Sequence, residues 1–78
     1  MAGKNEIKEI GTIKKRDDVE IRASVSKFRD EYYVDIREYI ETPNYTGPTK
    51  KGLRFHVENW EDFRSLVEKI DQFLQKTL

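Results

Sequence analysis

The 78-residue sequence has no cysteine, a single histidine (His56) and only two prolines. Without cysteine, no disulfide can staple the chain. One histidine without cysteine also leaves no zinc ligand set. Charge of one sign is missing too, since 15 basic and 15 acidic residues cancel. No apolar run approaches the ~20 residues of a membrane span, and Met1-Ala2-Gly3-Lys4 opens no signal-peptide core. A soluble, intracellular chain with no membrane partner is expected. A chain of this size buries only about 60% of the surface its unfolded form exposes, so a lone core is marginal. With disulfide and metal excluded, oligomerisation is the support that remains. Aromatic residues are present at 12%, which argues against disorder.

The balanced charge is unevenly spread. Residues 58–78 carry Arg64, Lys69 and Lys76 against Glu58, Glu61, Asp62, Glu68 and Asp71, a net −2. Residues 42–57 carry Lys50, Lys51 and Arg54 and no acid, a net +3. Zero net charge argues against a nucleic-acid binder, but it is the local field that governs an anion-binding groove.

Residues 1–5 read as a loose N-terminus, and residues 6–78 as one domain. Ile7, Ile10 and Ile13 recur every third residue, a helical spacing. Gly11 and Thr12 weaken that reading, and a strand over Glu6–Lys15 with a bulge at Gly11 is preferred. Arg16-Asp17-Asp18 marks a turn. Val19, Ile21, Ala23 and Val25 then alternate with polar residues as a strand with one apolar face. After a tight turn at Arg29-Asp30-Glu31, a third strand runs from Tyr32 to Glu41. The stretch Thr42–Lys51, with Pro43, Asn44, Gly47 and Pro48, reads as a loop, and Gly52–Phe55 as a short fourth strand. Trp60, Phe63, Val67, Ile70 and Leu74, widened by Leu66 and Phe73, form the stripe of an amphipathic helix of roughly 20 residues. His56 is its expected N-cap. The fold class is α+β: a four-stranded antiparallel sheet followed by one C-terminal helix, in the order ββββα.

One helix can cover one sheet face, so the other face is expected to lie open. By alternation that face carries Arg22, Ser24, Ser26 and Phe28, then Tyr33, Asp35, Arg37 and Tyr39, then Arg54. Tyr45, Lys50 and Lys51 adjoin it on the loop. Guanidinium and ammonium groups bind phosphates and aromatic planes stack on bases, the combination a single-stranded nucleic-acid groove needs. The same residues also serve as ordinary cross-strand pairs on a solvated sheet. Stacking and phosphate contacts serve DNA and RNA alike, and no base-edge code is visible, so little sequence specificity is expected. The helix stripe is wider than one sheet requires. A homodimer through Trp60, Leu66, Ile70 and Phe73 is therefore expected, with a protein-interaction module acting through that face as the alternative reading.

Enzyme chemistry finds no support. Ser24, Ser26 and Ser65 have no sequence-visible base and acid partners, and no phosphate-cradling glycine loop occurs. Asp17-Asp18 could in principle hold a metal, but a turn is the better reading. No cofactor or metal is expected.

The run Phe28-Arg29-Asp30-Glu31-Tyr32-Tyr33-Val34-Asp35-Ile36-Arg37-Glu38-Tyr39 resembles the signature of the positive cofactor four family, transcriptional coactivators and prokaryotic relatives that bind single-stranded DNA. The resemblance continues through Lys50-Lys51-Gly52-Leu53 to Trp60 and covers roughly residues 19–78. It implies a curved sheet followed by a helix, dimerisation through the helix region, and single strands along the sheet groove. By position, Phe28 matches the base-stacking aromatic, Arg37 a phosphate contact, and Lys50 and Lys51 the basic pair before Gly52. Arg29 stands where the family often has lysine. The sequence departs from the pattern at Ile40 (tryptophan in the family), Glu31 (basic), Asp30 (glycine) and Ser26 (basic), so the groove is less basic. It has no Ser/Lys-rich regulatory tail and resembles a minimal prokaryotic or phage form. The expected partners are single-stranded DNA, a second copy, and transcription or replication proteins. The expected location is cytoplasmic and nucleoid-associated in a prokaryote, or nuclear in a eukaryote.

Overall fold

A computed structural model describes residues 6–78, and the expectation of a loose segment at residues 1–5 lies outside them. Strands β1 (Glu6–Arg16), β2 (Val19–Phe28), β3 (Glu31–Glu41) and β4 (Thr46–His56) form one antiparallel sheet in sequence order. A 3₁₀ turn, Val57–Asn59, leads into helix α1, Trp60–Thr77.

The β2–β3 pairing sorts the side chains by face. Val19, Ile21, Ala23 and Val25 oppose Ile40, Glu38, Ile36 and Val34, and β4 adds Leu53 and Phe55 to this apolar face. Glu20, Arg22, Ser24 and Ser26 oppose Tyr39, Arg37, Asp35 and Tyr33, and β4 adds Arg54 and His56 to this polar face. The two faces therefore follow the period-2 alternation of the sequence.

In β1 the register shifts between Glu9 and Gly11, which leaves Ile10 as the bulged residue, one position before the expected glycine. The bulge moves the strand's later isoleucines across the sheet. Ile7 opposes Ser26 on the polar face, whereas Ile13 opposes Ile21 on the apolar one. A bulge interrupting a strand thus produces the three-residue spacing that imitates a helix.

The β2–β3 turn has two residues, Arg29 and Asp30, with φ of 54° and 65°, and the Phe28–Glu31 pair closes it. Glu31 therefore belongs to β3. Two successive positive φ values make the twist that suits a hairpin. The expected loop over Thr42–Lys51 is shorter than its composition implies: Thr46 already pairs with Glu41, and β4 runs eleven residues to His56. Pro48 is tolerated because β4 is an edge strand. Thr49, Lys50 and Lys51 bulge opposite Glu38 alone, between the Tyr39–Pro48 and Arg37–Gly52 pairs. Gly52 has φ of 153°, and a Cβ there would lie 2.4 Å from the Ile36 carbonyl oxygen and 2.6 Å from Arg37 Cα. Only glycine permits that approach.

The helix departs from expectation in two ways. His56 caps the 3₁₀ turn instead, its Nδ1 accepting from the Glu58 N–H at 3.0 Å, and α1 starts a turn later at Trp60. Nor does α1 cover the sheet. Phe63 packs on Phe55 with ring centroids 5.0 Å apart, and Trp60 follows Phe63 at 6.0 Å. No residue of the helix is buried. Leu66 remains 55% exposed and Phe73 64%. On the apolar sheet face a hollow of about 380 Å³ stays open among Ile10, Ala23, Val25, Tyr32, Val34, Ile36, Val57 and Trp60. Val19 is the one buried apolar residue among those described.

Candidate nucleic-acid interface

The polar face gathers four of the expected site residues. Arg22, Arg37, Tyr39 and Arg54 line a hollow of about 210 Å³ together with Ile7, Glu9, Ser24, Ser26, Asp35 and Pro48. Strand alternation places them, and the pairing brings Arg22 opposite Arg37 and Asp35 opposite Arg54.

The cations there are already engaged. Arg37 Nε donates to Asp35 Oδ1 at 3.0 Å, and its Nη1 donates to the Thr49 carbonyl at 3.0 Å. Arg54 Nη1 lies 3.7 Å from Asp35 Oδ2. Arg22 Nε donates to Glu20, with Glu9 3.6 Å from its Nη1. The bond to Glu20 raises the Arg22 pKa above its ordinary value, against the lowering effect of burial. The aromatic planes are engaged as well. The Arg22 guanidinium stacks 4.0 Å from the Tyr39 ring centre and Arg54 4.8 Å from that of Tyr33.

Other expected contacts lie at the margins. Phe28 is on the polar face at the hairpin tip, exposed, with the Arg29 guanidinium 5.0 Å from its ring centre. Tyr45 forms the β3–β4 turn, exchanging backbone bonds with Thr42, and its hydroxyl donates to the Pro48 carbonyl at 2.6 Å. Lys50 is exposed in the β4 bulge, and neither it nor Lys51 forms an ion pair among the described residues. Lys51 borders a shallow hollow with Ile21, Ile36, Glu38 and Leu53, residues of the opposite face. Its charge, after the bonded Lys15 (Nζ to Oε2, 2.5 Å), helps hold the Glu38 carboxyl below its ordinary pKa. Lys51 is therefore turned away from the hollow of Arg22, Arg37 and Arg54.

Sequence reading missed the carboxylates that offset the groove: Glu9 and Glu20 were not counted with the arginines. The alternation that exposes Arg22 also exposes Glu20, so the signal was present. Ser26, expected on the open face, does lie on that face but is only 8% exposed, and its Oγ has no hydrogen-bond partner. His56 bonds Glu31 through Nε2 and packs edge-on against Tyr33 at 5.4 Å. That contact ties the hairpin tip to the start of the helix. No group of three or more potential ligands could hold a metal among the described residues, and the Asp17-Asp18 turn offers none. No described helix is long and apolar enough to cross a membrane.

The family described as Transcriptional Coactivator p15 (PC4) matches residues 15–66. A putative RNA polymerase II transcriptional coactivator of Caenorhabditis elegans is 33% identical over 70 residues, 87% of this chain and 51% of that protein. The RNA polymerase II transcriptional coactivator KIWI of Arabidopsis thaliana is 34% identical over 53 residues, 68% of this chain and 50% of its own. The chain thus spans about half the length of these curated relatives. No solved structure gives a significant match. By the extent of the family match and the identity to the nematode protein, this chain belongs to the Transcriptional Coactivator p15 (PC4) family.

Proposed function

We propose that residues 6–78 act as one domain that binds single-stranded DNA along the polar face of the sheet, by phosphate contacts and base stacking with little sequence preference. The observation that carries this reading is the hollow that joins Arg22, Arg37 and Arg54 to Tyr39 across an open sheet, in a member of a coactivator family. Arginines serve the backbone and aromatic planes serve the bases. Phe28 extends the stacking surface to the hairpin tip with Arg29 beside it, and Tyr45 and Lys50 stand at its margin, whereas Lys51 borders the opposite face. Helix α1 carries net negative charge, which makes it a poor reader of a duplex groove. The relatives' names point to transcription regulation in partnership with the RNA polymerase II machinery. Replication, recombination and repair have no comparable pointer. Both relatives are eukaryotic, so the reading carries a nuclear location. The prokaryotic, nucleoid-associated form drawn from the sequence has no support in the comparisons.

The assembly in this reading is a homodimer. The chain carries an uncovered apolar helix stripe and an uncovered apolar sheet face at once, and a second copy supplies the complement of both. The same stripe is what favours the alternative of a protein-interaction module.

Fluorescence anisotropy with a labelled single-stranded oligothymidylate and a duplex of equal length tests the reading. The single strand is expected to bind more tightly, because paired bases cannot splay onto Phe28 and Tyr39. Phe28→Ala should weaken it by about 1–3 kcal/mol. Equal or tighter duplex binding would leave the interaction module as the better account.

A further inference from the structure

The groove's binding chemistry is turned inward. Each arginine of the hollow faces a carboxylate of its own chain, and the guanidiniums of Arg22 and Arg54 lie over the tyrosine planes that bases would use. Asp35 is central to this arrangement. It stands on β3 between Ser24 and Arg54, its side chain is 19% exposed, and its two oxygens engage two different arginines. A carboxylate that accepts from one guanidinium and sits beside another is placed as a phosphate oxygen pair would be.

We propose that Asp35 is an internal competitor for the phosphates of a single strand, limiting the affinity of the groove; this rests on the single-strand reading above. A phosphate entering the hollow displaces Asp35 Oδ2 from Arg54, whose side chain is 46% exposed and free to swing outward. That swing uncovers the Tyr33 plane for a base, so phosphate contact and stacking arise together. Arg37 stays in place through its bond to the Thr49 carbonyl, so it anchors while Arg54 moves. Glu20 plays the same part for Arg22 and Tyr39 on the neighbouring strand.

Asp35→Asn isolates the charge from the geometry, since the amide oxygen still accepts from Arg37 Nε. Its binding to oligothymidylate is to be compared with wild type across a salt series, with Glu68→Gln on the helix as a control for total charge. The expected result is about tenfold tighter binding by Asp35→Asn, the equivalent of one charge-assisted hydrogen bond made to the strand. The log–log salt slope should steepen by about 0.7 for each additional phosphate that the groove neutralises. Glu68→Gln should change neither quantity. Circular dichroism establishes that each variant is folded, and if Asp35→Asn is not, Glu20→Gln carries the same expectation through Arg22. Wild-type binding that is not tightened by either folded groove variant, or is tightened equally by Glu68→Gln, overturns the inference alone. Wild-type protein that does not bind the oligomer at all overturns the single-strand reading and this inference with it.

Discussion

Arg29 and Asp30 hold left-handed backbone that L-residues adopt at a cost of roughly 1–2 kcal/mol each. The hairpin closes nonetheless, because Phe28 and Glu31 pair across it. Asp30→Gly removes the Cβ that makes the conformation costly, and the Lys27–Asp30 pair it deletes is long, at 3.9 Å, with the Asp30 side chain fully exposed. The variant is expected to gain about 1 kcal/mol, read as a higher urea midpoint at unchanged slope. A lower midpoint would mean that the Asp30 side chain supports the turn in a way its geometry does not reveal. Gly52→Ala belongs at the opposite sign. Its new Cβ meets the backbone of Ile36 and Arg37 with no flexible atom to give way, and a loss of more than about 2 kcal/mol is expected in the same titration.

At the scale of elements, local pattern reached the face of each strand but not its length or its neighbours. The alternation of β2 and β3 placed every residue of the polar hollow on those strands, because period 2 is imposed by the pleat and survives any tertiary context. β4 was under-read because Pro48 and Gly47 are loop residues by composition. On an edge strand one side of the backbone needs no partner, so those residues cost little there. The position of α1 was misjudged for a different reason. A stripe at 3.6-residue spacing states that a face will be buried without stating against what. The contacts between elements were likewise beyond the pattern, as Lys15 and Glu38 illustrate. Lys15 is the second bulged position of β1, and the bulge brings its ammonium to a carboxylate two strands away. That contact lowers the Glu38 pKa. A depressed carboxyl pKa contributes stability that is present above the unfolded value, near 4.5, and is lost as pH falls through the folded value. Acid denaturation of wild type should therefore be steeper below pH 4.5 than that of Glu38→Gln, whose curve lacks this component. The pair is partly exposed, so the difference is expected to be small and to shrink with salt. Superimposable acid limbs at low salt would show that the pair does not couple β1 to β3.

At the scale of the whole molecule the chain is open for its length. Its radius of gyration is 15.1 Å and its extents are 50 × 37 × 17 Å, where a compact domain of this length has a radius of about 11.5 Å. The excess comes from a helix that touches the sheet at one end and exposes Leu66, Val67, Ile70, Phe73 and Leu74 along the rest. Burying each such side chain is worth about 1.5–3 kcal/mol. A symmetric pair of chains can bury both copies' stripes and the open hollow beneath Trp60 together, and folding then becomes inseparable from association. Sedimentation of the wild type is accordingly expected to give twice the 9.3 kDa chain mass at micromolar concentration. The thermal midpoint should rise with protein concentration, as mass action requires for a dimer that unfolds to monomers. Leu66→Glu with Phe73→Glu places charges in the middle and at the far end of the stripe. That variant should sediment as a monomer with a lower, concentration-independent midpoint. Its oligonucleotide affinity per folded chain should change little if each polar face binds by itself, since neither substitution touches that face. A wild-type midpoint that stays constant over a hundredfold range of concentration, in a folded monomer, would count decisively against association through the stripe. It would leave the helix free for a different protein.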